Sequence, residues 1–336
     1  MENNQDKLIS VIMSVYNEHE YISEALESLL KQTYHNFELI IIDDCSTDDT
    51  EEIINRYAYQ DDRIKLYQNE ENAGLTKNLN KALKLAKGYY IARMDGDDIA
   101  MPERFEKEVA YLESHKDVAL VSCQTQTFGE ESLVADVIED LEELRATMLI
   151  RPVLAHPGFM FKRALIDDGF CYDETFRQAQ DYDFAARLSL NHNIAIVTPP
   201  LLKYRAHKGQ VSAVSNSSQA SNADRVRKFL LANIGIELSD EENGTYRKLA
   251  YEDRQSDLID YKEAVIILNK IIDANEKSKV YERESLERAL WTQMSLWIIR
   301  SKNIKNILQY RKICGPSRLR RNVFQKQLFK TIKKKL

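Results

Sequence analysis

Acidic residues gather at a few short places in this 336-residue chain, and each place follows an apolar run. Leu8–Val15 (LISVIMSV) ends in Tyr16-Asn17-Glu18. Phe37–Asp43 (FELIIID) ends in Asp43-Asp44, and Tyr89–Met94 (YYIARM) stops at Asp95-Gly96-Asp97-Asp98. If these runs are strands of one open α/β sheet, the carboxylates meet in the crevice at the carboxyl ends of the strands, where such sheets bind ligands. Like charges held that close repel one another unless a positive centre sits among them, and hard oxygen donors suit Mn2+ or Mg2+. Plainer readings stand beside this one. Asp43-Asp44 could simply cap the next helix, and Asp-Gly-Asp-Asp is good turn sequence.

The elements that must place these residues can be read from periodicity. Ile22, Ala25, Leu26, Leu29 and Leu30 repeat at helical spacing after the first strand. Ser46-Thr47-Asp48 supplies N-cap chemistry for a helix to about Tyr57. Ile64–Gln68 reads as a third strand, Thr76–Lys87 as a helix, and Pro102 suits the first turn of a helix to about His115. Val118–Phe128 reads as another strand. The β–α–β order predicts an α/β fold, a mainly parallel sheet with helices on both faces. Acidic, helical character returns over 136–149, followed by short mixed elements to about Val214. The polar stretch Ser215–Ser221 marks a boundary between an α/β body over 1–214 and a helical region over 215–336. Helices are expected there at Ala223–Asn233, Glu241–Tyr251, Leu258–Asn275 and Glu282–Lys302.

Composition bounds the class. Apolar residues are 43% and charged residues 30%, which allows a packed core and argues against wholesale disorder. The longest apolar runs fall far short of the ~20 residues of a membrane span. The start, MENNQDK, lacks the basic-then-apolar pattern of a secretory signal. Cys45, Cys123, Cys171 and Cys314 form no CxxC pair, which speaks against a disulfide framework or zinc site and for a reducing cytoplasm. From Arg288 onward there are 14 Lys/Arg and no Asp or Glu, which leaves 33 basic and all 53 acidic residues in the first 287, a balance of −20.

Seven segments in order between Leu8 and Ser212 resemble family 2 glycosyltransferases, which have the GT-A fold. They are SVIMSVYNE, IIIDDCSTDDT, NAGLTKNLNKAL, ARMDGDDIAMPERF, HPGFMF, QDYDFAARL and YRAHKGQVS. The resemblance implies an inverting, metal-dependent hexosyl- or N-acetylhexosaminyl-transferase. It would use a nucleotide-sugar donor, by default a UDP-sugar, and a glycan or glycolipid acceptor. It places Val15, Tyr16, Asn17, Glu18, Asp43, Asp44, Asn72 and Gly96 among the donor contacts, with Asp43 toward the nucleotide base. Asp97 and Asp95 form the DxD motif at the metal, His207 is a third metal ligand or diphosphate contact, and Lys77 and Arg93 are phosphate or base contacts. His156 and Gly158 belong to a loop lining the donor sugar, and Asp181 takes the place of the catalytic base. Gln180 departs from the pattern, because Glu is common there.

Each of these has a plain alternative: Asp181 an N-cap, His207 a surface histidine. Trp291 and Trp297 read as helix packing rather than a sugar platform. The basic end, with Leu319, Val323, Phe324, Leu328, Phe329 and Ile332 spaced for one helical face, describes an amphipathic helix on an anionic membrane surface through 316–336. The alternative is a soluble basic end. No nucleic-acid motif accompanies the charge, and the helical region is where a homodimer contact would form. A processive polysaccharide synthase is disfavoured by the lack of spans and of a QxxRW-like motif. A nucleotidyltransferase is disfavoured by the lack of a glycine-rich loop after the first strand. The non-enzyme rival is a nucleotide-sugar- or glycan-binding subunit.

Overall fold

The computed structural model describes residues 7–129, 132–206, 217–250, 261–300 and 317–333. They form two compact units, one of 1–139 with 154–222, the other of 140–153 with 223–336. The later division falls directly after the polar stretch Ser215–Ser221, inside a helix, and the second unit also takes in the acidic helical stretch near 141.

The first unit is built on one eight-stranded sheet. Strand β1 (Ile9–Val15) lies between β2 (Phe37–Asp43) and β4 (Tyr90–Arg93), and β3 (Ile64–Gln68) flanks β2, all in parallel. Every residue of β2 is buried, as its unbroken apolar run requires of a strand covered on both faces. The connecting helices α1 (Ile22–Leu30), α2 (Thr50–Gln60) and α3 (Leu75–Leu85) bury the periodic apolar residues: Ile22, Ala25, Leu26 and Leu29 in α1, Leu79, Ala82 and Leu83 in α3. The register sets Val15 opposite Asp43 and Ile12 opposite Arg93, so β1 and β2 end together while β4 stops three residues earlier along β1.

The sheet is mainly parallel, as expected, and turns mixed beyond β4. The short β5 (Ile99–Ala100) is followed by α4 (Arg104–Ser114) and β6 (Val118–Gly129). Then come β7 (Met160–Lys162), α6 (Ala164–Asp167), α7 (Gln180–Ser189) and β8 (Asn193–Ala206). Strand β7 runs antiparallel to β4 and β6, and β5 runs antiparallel to β8. Strands β6 and β8 pair in parallel over two stretches, with a register shift between Cys123 and Thr125. Pro199 and Pro200 sit at that break, where a residue without an N–H does no harm to the ladder.

The second unit is helical: α5 (Leu141–Thr147), α8 (Ser217–Asn233), α9 (Asp240–Ala250), α10 (Tyr261–Ser278), α11 (Arg283–Arg300) and α12 (Arg318–Lys333), with the first turns of α8 lying in unit one. Trp291 is fully buried and Trp297 donates its indole N–H to the Lys248 carbonyl at 3.0 Å, so both are packing residues. The apolar stripe expected to face a membrane is turned inward at Val323 and Phe324, which are buried. The Arg320 guanidinium on the same helix lies 4.3 Å from the Trp291 ring centroid. Among the described residues no helix is long and apolar enough to cross a membrane.

Candidate active site

The acidic turn is held from below by a buried ion pair. Arg104, at the start of α4, reaches Glu108 at 3.0 Å and donates to the Arg93 carbonyl at 2.8 Å, which fixes the last peptide of β4. Both side chains are fully buried, so neither charge is tolerable without the other. Past that anchor, carboxylate oxygens of Asp95, Asp97 and Asp98 all lie within 4.8 Å of one another. The turn crosses the end of β1 so closely that a Cβ on Gly96 would stand 3.0 Å from Val15 Cγ1 and 3.4 Å from Glu18 Cγ. A side chain at 96 would press on Val15, which would have to give by a few tenths of an ångström.

Asp98 is fully buried. Its Oδ1 accepts the Arg205 backbone N–H at 2.9 Å, while its Oδ2 has no hydrogen-bond partner. The Arg205 side chain clamps the same turn, donating from Nε to the Asp97 carbonyl at 2.7 Å and from Nη2 to Glu24 at 2.8 Å. Its guanidinium also lies over the Tyr21 and Phe128 rings.

The electrostatics follow from crowding. Burial, then the nearby Asp95 and Asp97 charges, push the Asp98 carboxyl up to about 8, against the Arg205 N–H and the Arg93 charge. Burial and the charges of Asp97, Asp95 and Asp48 likewise push Glu18 to about 8. Asp95 is raised by burial, with Arg93 opposing and Asp97 and Asp181 adding to the rise. Carboxylates in this state hold protons or take up a cation. The donor set is all oxygen, close enough to share one ion, and includes a buried oxygen with no other partner, so these residues fit a hard divalent cation.

On the side of β2, the loops after β1 and β2 are stitched together. Asn17, at φ 56°, accepts the Thr47 N–H on its side-chain oxygen at 2.8 Å, and its own N–H goes to Ser46 Oγ at 3.0 Å. Asp43 is buried and accepts from the Ser46 N–H at 3.1 Å and from its hydroxyl at 2.5 Å. Glu18 N–H donates to Thr50 Oγ1 at 2.8 Å. Tyr16 is 47% exposed beside them.

On the opposite side stands Asp181, in the first turn of α7. Burial raises its carboxyl, opposed by backbone N–H groups of the helix start and by Arg93. Under the turn lies an aromatic cluster in which His156 Nε2 meets the Tyr172 hydroxyl at 2.8 Å and Tyr172 stacks on Phe184 at 4.5 Å. The arrangement sets a cation-attracting cluster beside a carboxyl of raised proton affinity, across from a polar nest at the end of β2. Such an arrangement could hold a cation and accept a proton close to it.

Residues 10–170 match the family described as Glycosyl transferase family 2. An uncharacterized glycosyltransferase of Haemophilus influenzae is 32% identical over 249 residues, covering 69% of this chain and 76% of that protein. This chain belongs to glycosyl transferase family 2. It is a glycosyltransferase. The O-antigen biosynthesis glycosyltransferase WbnJ of Escherichia coli is 33% identical over 239 residues, 66% of this chain and 89% of WbnJ. TarS 1–349 of S. aureus, solved with UDP-GlcNAc, shares the fold at a TM-score of 0.60 and 21% identity, over 90% of this chain and 91% of that one.

In this transferase the structure brings Val15, Tyr16, Asn17, Glu18, Asp43, Asp95, Gly96 and Asp97 to one end of the sheet, and gives several expected contacts other work. The Asp44 carboxylate accepts the Ala73 and Gly74 N–H groups at 2.7 and 2.9 Å and Asn69 Nδ2 at 2.8 Å, so it staples the loop ahead of α3. Burial raises its pKa, but those donors outweigh burial and leave it lowered. Arg93, only 3% exposed, is ion-paired with Asp95 and acts as counter-charge beneath the turn rather than as an open phosphate contact. The His156 ring is buried in the aromatic cluster and held neutral by burial and by Arg93, so it packs the turn instead of lining a sugar cavity. Gly158 is needed because a Cβ there would lie 2.9 Å from Cys123 Sγ on β6. Asn72 is exposed and reaches the Asp44 carbonyl at 3.4 Å, and Lys77 is exposed on α3. His207 lies outside the described residues.

Sequence reasoning gave no role to Arg104 or Arg205 and no separate role to Asp98. Asp98 follows Asp97 directly and was visible as a third acid. Arg205 sat within a quoted motif, but its partners lie 107, 108 and 181 residues away.

Proposed function

We propose that this enzyme transfers a single sugar, with inversion, from a nucleotide-sugar donor to an acceptor hydroxyl, with Asp181 as general base. The observation that carries the reading is the acidic cluster Asp95-Asp97-Asp98 standing within electrostatic range of Asp181 at the carboxyl end of the sheet. A raised carboxyl is suited to take a proton from an alcohol as its oxygen attacks the anomeric carbon. One base and one displacement invert that carbon. Asp95 and Asp97, with Asp98 beside them and His207 by resemblance, would hold Mn2+ or Mg2+, and such an ion supplies charge neutralisation for the departing diphosphate. Asp43 and the Asn17–Thr47 nest form the nucleotide end, and Tyr16 offers a ring for the base.

The finer identity follows likeness. UDP is the default nucleotide because TarS was solved with UDP-GlcNAc. A surface or lipid-linked glycan acceptor is favoured because WbnJ serves O-antigen biosynthesis. With such an acceptor the enzyme would work in the cytoplasm, at the inner face of a membrane.

The test is a panel of UDP-, GDP- and dTDP-sugars with Mn2+, following diphosphate release with and without glycolipid acceptors. Release from one donor, abolished by EDTA and by Asp97→Ala, is the expected result. Tight nucleotide binding with no release on any acceptor would instead identify a binding subunit, and no binding at all would sink the reading.

A further inference from the structure

Helix α3 joins the nucleotide end of the site to the loop that carries Asp181, and it does so through side chains that sequence reasoning did not single out. Its head is pinned to β2 by the Asp44 carboxylate, and Asn78 ties it to β1 through Ser14 Oγ at 3.1 Å. On its other side, Asn80 makes a two-way bond with the backbone of Tyr172. The Tyr172 N–H donates to Asn80 Oδ1 at 3.1 Å, and Asn80 Nδ2 donates to the Tyr172 carbonyl at 3.0 Å and to Glu174 Oε1 at 3.0 Å. One turn earlier, on the same helical face, Thr76 donates its hydroxyl to the Phe176 carbonyl at 2.6 Å. Both side chains are buried.

We propose that Asn80, assisted by Thr76, is the positioning residue that sets Asp181 at its working distance from the donor. Between β7 and α7 only the short α6 is regular, so the segment ahead of the base lacks a ladder to place it. The Asn80 amide stands in for that ladder. It presents a donor and an acceptor side by side, as a strand backbone would, and the backbone groups it meets fix which atom is which. Asp lacks the donor, and Ser lacks the second polar atom. From Phe176 five residues lead to Asp181, and the helix–sheet bonds of Asp44 and Asn78 fix the other end of the strut. A shift of about 1 Å in a reacting group costs on the order of 10²-fold in rate, so a strut of this kind acts on turnover more than on donor affinity.

The inference rests on Asp181 being the base, and the experiment separates the two. Full-length Asn80→Asp, Thr76→Val and Asp181→Asn are compared with wild type by three measurements. These are amide hydrogen exchange over 171–181, the Kd of UDP with Mn2+, and kcat with the donor that the panel selects. Asn80→Asp is expected to raise exchange across 171–181 and to lower kcat on the order of 10²-fold. UDP affinity should stay within about twofold, the pattern of an interaction felt only in turnover. Thr76→Val keeps its shape, so it tests the same strut without risk to the fold, with a loss of roughly fivefold expected for one neutral hydrogen bond. Faster exchange with unchanged kcat overturns the proposal, as does unchanged exchange, or a loss of UDP affinity that matches the loss of rate. If Asp181→Asn keeps full turnover, it is the base assignment that fails, whatever the exchange data say of Asn80.

Discussion

The two ends of the sheet both carry buried acids and treat them in opposite ways. At the amino end, Glu38 on β2 meets Lys65, the Ser10 hydroxyl and the Lys87 N–H; although burial raises its carboxyl, those partners leave it lowered. Glu113 there bonds Lys7, Lys116 and the Tyr90 hydroxyl, and these donors overcome burial to hold it at about 2. At the carboxyl end, Glu18 and Asp98 rise to about 8, with other carboxylates among their nearest charges. Residue types are alike at the two ends, but Asp98 is fully buried where Glu113 is half-buried, and the acids at the amino end have lysines beside them. One end is a finished ion-pair network, and the other is left short of positive charge where a ligand could supply it.

Four measurements would sharpen or break that contrast. The largest effect is expected at the acidic end: Asp97→Ala should lower turnover by about 10³-fold, since charge development on the leaving diphosphate loses its stabilisation. An Asp97→Ala enzyme with near-normal diphosphate release would break the contrast outright. Next comes the anchor beneath the turn. Arg104→Leu strands the Glu108 charge and should cost about 3–5 kcal/mol in urea unfolding, while Arg104→Leu/Glu108→Leu should recover much of it.

Third is the pH dependence of stability without divalent cations. Glu18 and Asp98 bind protons more tightly folded than unfolded, so their contribution is present at low pH and fades as pH rises toward 8. Glu113 has the opposite sign, and its contribution is lost as pH falls from about 4.5 to about 2. Thermal unfolding should therefore show a maximum Tm in mildly acidic buffer, with Mn2+ flattening the alkaline limb and leaving the acid limb alone. A metal-free Tm that climbs steadily from pH 5 to 8 would contradict the crowding. The smallest effect is expected at the paired end, where Glu38→Gln should cost about 1–2 kcal/mol of stability and leave kcat unchanged.

How much of this was legible depends on how local the determinants are. Strands β1 to β4 and helices α1 to α3 each announce themselves within a dozen residues, by an unbroken apolar run or by helical spacing, and the strand-end acids were read with them. Strands β5 and β7 span 2 and 3 residues, too short to carry a period. Strand β8 is interrupted by Pro199-Pro200 and reads as two fragments. The site divides the same way. Asp95 and Asp97 are marked by a local motif, whereas Asn80 reaches Tyr172 across 92 residues and Arg205 reaches Glu24 across 181. A polar side chain shows nothing of a distant partner until the chain has folded. The helix α5 was recognisable as a helix, but its membership of the second unit depends on packing with α11, which lies far along the chain.

One backbone angle has a mechanical consequence. Ala179, next but one before Asp181, sits at φ 59° and ψ 22°, a left-handed conformation that costs a residue with a Cβ roughly 1–2 kcal/mol. The joint between the loop and α7 is thus preloaded, like a bent spring held at both ends. If the restraint on the loop slackens, leaving the left-handed region at Ala179 relieves that cost. A glycine at 179 would unload the spring, so the same slackening would relieve no such cost there.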